Sequence, residues 1–390
     1  VINLDYASHT PVDEDVLELF CKTERECAGN PLATHRLGRL AHDVLYRAKE
    51  DISAHFCVVG EKISAQSNIQ SNEKISAQSG EIIFTSGASE ANNLAVKGIA
   101  RAYAHTGRHI LSTCLEHPSV SGALAFLAET GAEVELLKVL PTGQIDLRHL
   151  QSVIRNDTVL LCISAVDSEI GAIQPLEEIA AIADGYPNLH LHIDAAQAVG
   201  KIPLPRLTKT STLCFSPHKF YGLNGCGVLV KRTGVVLEPL IHGGSEANGL
   251  LYRGGTPSPA MAAACAFALQ KAHQNQHEYL RSVTGLRTYL TQNLPAAMQI
   301  NSPPDGSPYI LNLSAPNITG AAFRTALNEC GIAVSVKSAC SSENAPSRTV
   351  FAVTGNKKTA LNSWRVSLSH LTTRTELDAF LSAVRKIVNA

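Results

Sequence analysis

The sequence predicts an α/β fold, with a large domain on a mainly parallel sheet and then a smaller α+β domain. Two observations carry this. Between about residues 81 and 231, short apolar or β-branched runs alternate with stretches of helical spacing, and such alternation calls for βαβ crossovers. After Thr256 the pattern changes to one long helical stretch, Pro259 to about Leu294, then a Pro/Ser/Gly-rich turn at 302–308 and shorter pieces. At 390 residues the chain is long enough to bury a substantial core in two lobes.

In chain order, the expected strands are Glu81–Thr85, His109–Thr113, Val134–Val139, Val159–Ser164, Leu189–Asp194 and Leu213–Ser216, with a further β-branched run at Val228–Val230. Glu90–Ala104, Ser119–Thr130 and Pro175–Ala183 carry helical spacing between them. The expected domains are 14–258 for the large one, and 1–13 together with 259–390 for the small one.

Charges nearly cancel, 33 Lys+Arg against 34 Asp+Glu, so no global field points to nucleic acid or a membrane surface. The apolar runs are too short and interrupted for a transmembrane span. The start, VINLDYASHTPVD, lacks a basic n-region and an apolar h-region, so the expected location is cytoplasmic; a start at Val1 leaves open an organellar location after removal of a leader. The ten cysteines include no CxxC and read mostly as small core residues of a reducing compartment, not as a metal site. EKISAQS occurs at 61–67 and again at 73–79, separated by NIQSN. Too short for a solenoid, it reads as a duplicated polar surface insertion or a partner-docking loop.

The stretch CFSPHKFYGLNGCGVLV, residues 214–230, poses the chemical question. Lys219 sits in a Gly-rich bend just beyond a strand, and open α/β folds bind ligands at the carboxyl ends of their strands. A lysine there is either a solvated turn residue or a Schiff-base nucleophile. The other strand ends favour the second reading. EIIFTSGASEANN (81–93) is a strand, a small-residue turn and a helix, so Gly87, Ala88 and Ser89 offer backbone N–H groups at a helix N-terminus, a cup for phosphate. LHIDAAQAVGK (191–201) runs a strand into Asp194, which caps the next helix or holds a pyridinium nitrogen protonated, with Gln197 in reach of a ring oxygen. His117, in CLEHPSV, follows another strand and suits stacking on a flat ring and proton movement. Ser216 and His218 flank the lysine, within reach of the phosphate. Together these are the parts of a pyridoxal phosphate (PLP) site, with Lys219 as its Schiff-base lysine.

The chain resembles the cysteine desulfurases, the NifS/IscS-like branch of the class V aminotransferase family with PLP fold type I. LDYASHTPVD, GNPLATHRLG, IIFTSGASEANNLA, EHPSV, HIDAAQAVGK, FSPHKFYGLNGCGVL, RGGTPSP, SACSS and RVSLSHLTT carry the resemblance in family order along almost the whole chain. It implies a seven-stranded-type sheet in the large domain. Lys219 then binds the cofactor covalently, Asp194 pairs with the pyridine nitrogen, and His117 stacks on the ring and shuttles protons. Ala88, Ser89, Ser216 and His218 would hold the phosphate, Gln197 and Ser168 the ring-oxygen edge, and Thr256 would reach the phosphate from a second subunit of an obligate homodimer. Arg365 matches the arginine that grips the substrate carboxylate, a bidentate task, with Asn30 beside the substrate. Cys340 matches the cysteine that takes sulfur from L-cysteine as a persulfide, on a polar loop suited to delivery to an Fe–S scaffold or sulfur carrier.

The sequence also departs from the family. Asp167 and Ser168 stand before Glu169-Ile170-Gly171 where the family has paired asparagines, Lys337 replaces a glycine, and 242–256 differs from the usual glycine- and glutamine-rich version. A PLP-dependent C–S lyase, selenocysteine lyase or aminotransferase in which Cys340 is a bystander is the alternative enzyme, and a degenerate sulfur-pathway scaffold the non-enzymatic one.

Overall fold

The computed structural model describes residues 1–56, 80–205, 209–244, 251–336 and 345–389. The duplicated EKISAQS segment, Lys337 and Cys340 lie outside the described residues. In order, the elements are β1 (Ile2–Asn3), α1 (Glu14–Glu26), α2 (Arg36–Phe56), β2 (Gly80–Thr85), α3 (Ala88–Ala102), β3 (His109–Thr113), α4 (Pro118–Glu129), β4 (Glu133–Leu137), α5 (Leu147–Val153), β5 (Thr158–Ser164), α6 (Leu176–Asp184), β6 (His190–Asp194), β7 (Thr210–Phe215) and β8 (Gly227–Arg232). Then follow α7 (Pro259–Asn293), β9 (Gln299–Ile300), β10 (Ile310–Ser314), α8 (Gly320–Glu329), β11 (Ile332–Ala333), α9 (Arg348–Thr354), α10 (Lys357–Asn362), β12 (Ser363–Ser367) and α11 (Arg374–Asn389).

Seven strands form one sheet in the order β2-β8-β7-β6-β5-β3-β4. β4, β3, β5, β6 and β7 run parallel, each pair joined by a helical or long crossover, whereas β8 is antiparallel to both β7 and β2. The exception follows from connection length: residues 216–226 hold only a tight turn, and so short a link returns a strand antiparallel. Neighbouring residues of each strand alternate between two cores. Ile110, Leu160, Cys162, Cys214 and Leu229 pack with α3 and α4. Leu111, Leu161, Ile163, Phe215 and Val228 pack on the other side with α2, α6 and α7. Burial on both faces is why TVLLCI reads as one apolar run and not as an alternation.

β7 stops at Phe215, one residue short of the expected Ser216, because Pro217 lacks the N–H that a ladder needs and opens a single 3₁₀ turn, Pro217–Lys219. Helix starts match their capping chemistry. Ser258 accepts from Met261 N–H ahead of Pro259 at the head of α7, and Asp13 caps α1.

The C-terminal part builds a second sheet, β12-β10-β9, all antiparallel, backed by α8 and α11. Trp364 fills its centre, stacked on Phe323 at 4.7 Å and edge-on to Phe380 at 5.9 Å. The first residues belong here too. β1 pairs in parallel with β11, and Asp5 bridges Ser367. This long-range pairing carries residues 5–10 across to the mouth of the large sheet.

Candidate active site

The carboxyl ends of β2, β3, β5, β6 and β7 share one edge of the large sheet, because β2 regains the direction of the parallel strands through the antiparallel β8. Loops leaving this edge carry the expected residues.

Lys219 closes the 3₁₀ turn after β7, and its Nζ donates to the carbonyls of Ala7 (2.9 Å) and Ser8 (2.7 Å). Two residues on, Tyr221 takes a left-handed φ of 68°. Such a backbone costs a non-glycine residue about 1–2 kcal/mol. Its N–H on Thr10 Oγ1 (2.7 Å) and its hydroxyl against Ser369 Oγ (2.6 Å) hold it there.

Asp194 ends β6 and is buried. Oδ1 accepts from Ala196 N–H (3.0 Å) and Oδ2 from Asn92 Nδ2 (2.8 Å). Asn92 is itself polarised, since its Oδ1 meets His192 Nε2 (2.9 Å) and accepts from Cys214 Sγ (2.8 Å). Burial pushes His192 down to about 4, so its ring is neutral. His117 caps α4 through Nδ1, which accepts from Ser119 N–H (3.1 Å). Burial lowers its pKa; Asp194 opposes and Lys219 adds to the shift. With Nδ1 accepting from Ser119 N–H, the ring's donor is Nε2.

At the head of α3, Gly87 is the N-cap and offers no side-chain cap to the N–H groups that follow at Ala88 and Ser89. Gly227 allows this end to sit against β8, for a Cβ there would lie 2.2 Å from the Gly87 carbonyl carbon. Ser216 Oγ donates to Cys226 O (2.6 Å) and meets His218 Nδ1 (2.7 Å). Burial, with Lys219, His9 and Lys201, pushes His218 down to about 4.

Arg365, in β12, is 2% exposed and ties the second sheet to the loop after β5. Nη1 donates to Ser168 O (2.7 Å), and Nη2 to Asp5 Oδ1 (2.7 Å) and Ser8 Oγ (2.8 Å). Its Nε has no partner among the described residues. Ser8 thus accepts from Lys219 with its carbonyl and from Arg365 with its hydroxyl. Gln197 is buried alongside, Nε2 donating to Ala7 O at 2.9 Å.

Two expected residues stand apart from this group. Asn30 is exposed, its Oδ1 turned back onto Leu32 N–H (2.9 Å). Thr256 is also exposed and lines a cavity of about 200 Å³ with Ser86, Gly225 and Cys226. The flanks of the Cys340 segment are described. Ser335 exchanges backbone hydrogen bonds with Arg365, and Ser347, which caps α9, donates its hydroxyl to Glu169.

Known proteins show the same plan. The class-V aminotransferase profile matches residues 2–380. The chain belongs to the class-V aminotransferases. Among its relatives, cysteine desulfurase IscS of Dictyoglomus turgidum is 33% identical over 393 residues, covering 99% of this chain and 94% of that protein. The mitochondrial cysteine desulfurase of Candida albicans is 34% identical over 398 residues, 100% of this chain and 77% of that protein. A solved NifS-like protein superimposes with a TM-score of 0.87 at 30% identity, over 100% of this chain and 99% of its own. The structure described as SspA in complex with cysteine gives 0.76 at 27%, over 96% and 100%.

This class-V aminotransferase is a PLP-dependent enzyme, and its residues fit that cofactor. An uncapped helix end suits the phosphate, a buried carboxylate held by two N–H donors suits the ring nitrogen, and the Lys219 amine lies at the same edge. Sequence reasoning missed Asn92, Asp5 and Ser8. The signal for Asn92 was present: a polar residue on the apolar face of α3, between Ala91 and Leu94. Nothing local marked Asp5 or Ser8, which reach the site through the β1–β11 pairing.

Proposed function

We propose that the chain is an L-cysteine desulfurase, converting L-cysteine to L-alanine and leaving the sulfur on Cys340 as a persulfide for Fe–S cluster or thio-cofactor synthesis. The observation that supports this most is Ser8, bonded at once by Lys219 and Arg365, which sets a carboxylate-binding guanidinium beside the reactive amine. The curated relatives named cysteine desulfurase support it over nearly the whole chain.

PLP supplies the electron sink for bond changes at the substrate carbons. Arg365 receives the substrate carboxylate through its unpartnered Nε side, already oriented by Asp5 and Ser168. Asp194 presents its carboxylate to the ring nitrogen, His117 stacks and moves a proton at Nε2, and Gln197 and Ser168 serve the ring-oxygen edge. Ala88, Ser89, Ser216 and His218 hold the phosphate. The Cys340 thiolate attacks the substrate sulfur: the S–S bond forms, the Cβ–S bond breaks with its electron pair on carbon, and a proton completes the methyl group of alanine. Thr256 and Asn30, exposed in the single chain, are proposed to complete the phosphate and substrate sites across a homodimer interface. Residues 14–258 form the cofactor lobe, and 1–13 with 259–390 the lobe that presents Cys340 to a sulfur-acceptor protein. No helix among the described residues is long and apolar enough to cross a membrane, and a cytoplasmic location is part of the proposal.

The test is one assay of purified holoenzyme with L-cysteine and a reducing thiol, following alanine and sulfide. Equimolar release of the two is expected; pyruvate and ammonia in their place would overturn the reading.

A further inference from the structure

The lysine that closes HIDAAQAVGK has no part in the scheme above. Lys201 is 6% exposed, and among the described residues it makes no ion pair. Its Nζ donates to Gln197 Oε1 at 2.7 Å and lies 5.9 Å from the centre of the Tyr309 ring. Burial, with Lys219 and Arg365 as cationic neighbours, holds its pKa well below the usual lysine range. A methionine would fill the same space without desolvating an amine. Packing alone therefore does not account for a lysine here.

Gln197 supplies the account. Its Nε2 donates to the Ala7 carbonyl, which also accepts from Lys219 Nζ. That carbonyl only accepts, so the amide must present Oε1 at its other end, and there it needs a donor. Lys201 supplies one in either protonation state. We propose that Lys201 is a positioning residue that fixes the amide of Gln197, holding its Nε2 toward the ring oxygen of the cofactor. The role rests on the assignment of Gln197 to that oxygen in the proposed function.

A donor at the ring oxygen stabilises negative charge there, and so lowers the pH at which the bound cofactor loses its proton and changes its visible absorption. Titrating the absorption of the holoenzyme against pH, without substrate, reads this directly. Gln197→Ala and Lys201→Met are each expected to raise the midpoint by about one pH unit, with the double variant no higher than Gln197→Ala alone. Lys201→Gln keeps a donor and is expected to stay near wild type; it also serves should the methionine variant fail to fold. An unmoved midpoint in Lys201→Met, or shifts that add in the double variant, overturns the positioning role while leaving Gln197 in place. An unmoved midpoint in Gln197→Ala overturns the ring-oxygen assignment and the role of Lys201 with it.

Discussion

Asp167 shows how one atom changes the behaviour of a buried site. Its Oδ1 accepts from the N–H groups of Glu169 (2.8 Å) and Ile170 (2.6 Å), a task an asparagine would perform equally well. Oδ2, where asparagine would carry NH₂, is buried with no partner among the described residues. Burial, with Glu169, pushes this carboxyl from 3.8 up to about 7. Folding thus favours the protonated acid, so its stabilising effect is complete below pH 3.8 and is lost as pH rises through about 7. Wild type should lose roughly 3 kcal/mol more than Asp167→Asn between pH 5 and pH 8. Thermal melts of both proteins at the two pH values measure this, and parallel pH slopes would refute it. At the same scale, Lys219→Ala should abolish the visible absorption of covalently bound cofactor together with turnover; a borohydride-reducible linkage surviving in that variant would place the attachment elsewhere. Cys340→Ser should still bind cysteine yet form no persulfide, because a serine hydroxyl is protonated near neutral pH and does not attack sulfur usefully. Undiminished alanine production would instead favour the lyase alternative.

The element that matters most is α3, which carries the uncapped end proposed to hold the phosphate and presents Asn92 to Asp194 from one rigid body. Its seat depends on Gly227 at the start of β8. Because a Cβ there would meet backbone and not a side chain able to swing aside, Gly227→Ala should displace the helix end. The expected cost is about 1–3 kcal/mol of stability, with weaker cofactor binding. Denaturant melts and cofactor titration of the apoenzyme test it; unchanged values in both would mean that the helix end adjusts freely. The helices and strands of this region were legible because βαβ units announce themselves locally, through apolar runs and capped helix starts. The role of Asn92 was not, since its partners His192, Cys214 and Asp194 lie about a hundred residues away in sequence.

For the molecule as a whole, the proposed dimer makes a sharp prediction. If Thr256 acts in its partner's site, mixing Lys219→Ala and Thr256→Ala subunits yields hybrids in which one site carries both lesions and the other neither. Activity should then reappear in a mixture of two weak or inactive parents, and its failure to return in verified hybrids would count against a shared site. Deleting residues 61–72 removes one copy of the repeat and should leave cysteine turnover intact, because loop length costs little closure entropy. Lost delivery to an acceptor protein with turnover preserved would make the insertion a docking loop.

Sequence alone determined the parallel α/β core, the order of its strands along the chain, and the candidates Lys219, Asp194, His117 and Arg365. Lys219, Asp194 and His117 follow from residues at the ends of successive strands, and Arg365 from the family resemblance. Tertiary structure alone decided that the N-terminal strand docks on β11. It also decided that Asp5 and Ser8 thereby hold Arg365 next to Lys219. Those contacts join residues more than two hundred positions apart, and their hydrogen bonds form only once the first residues have packed between the two sheets and excluded water.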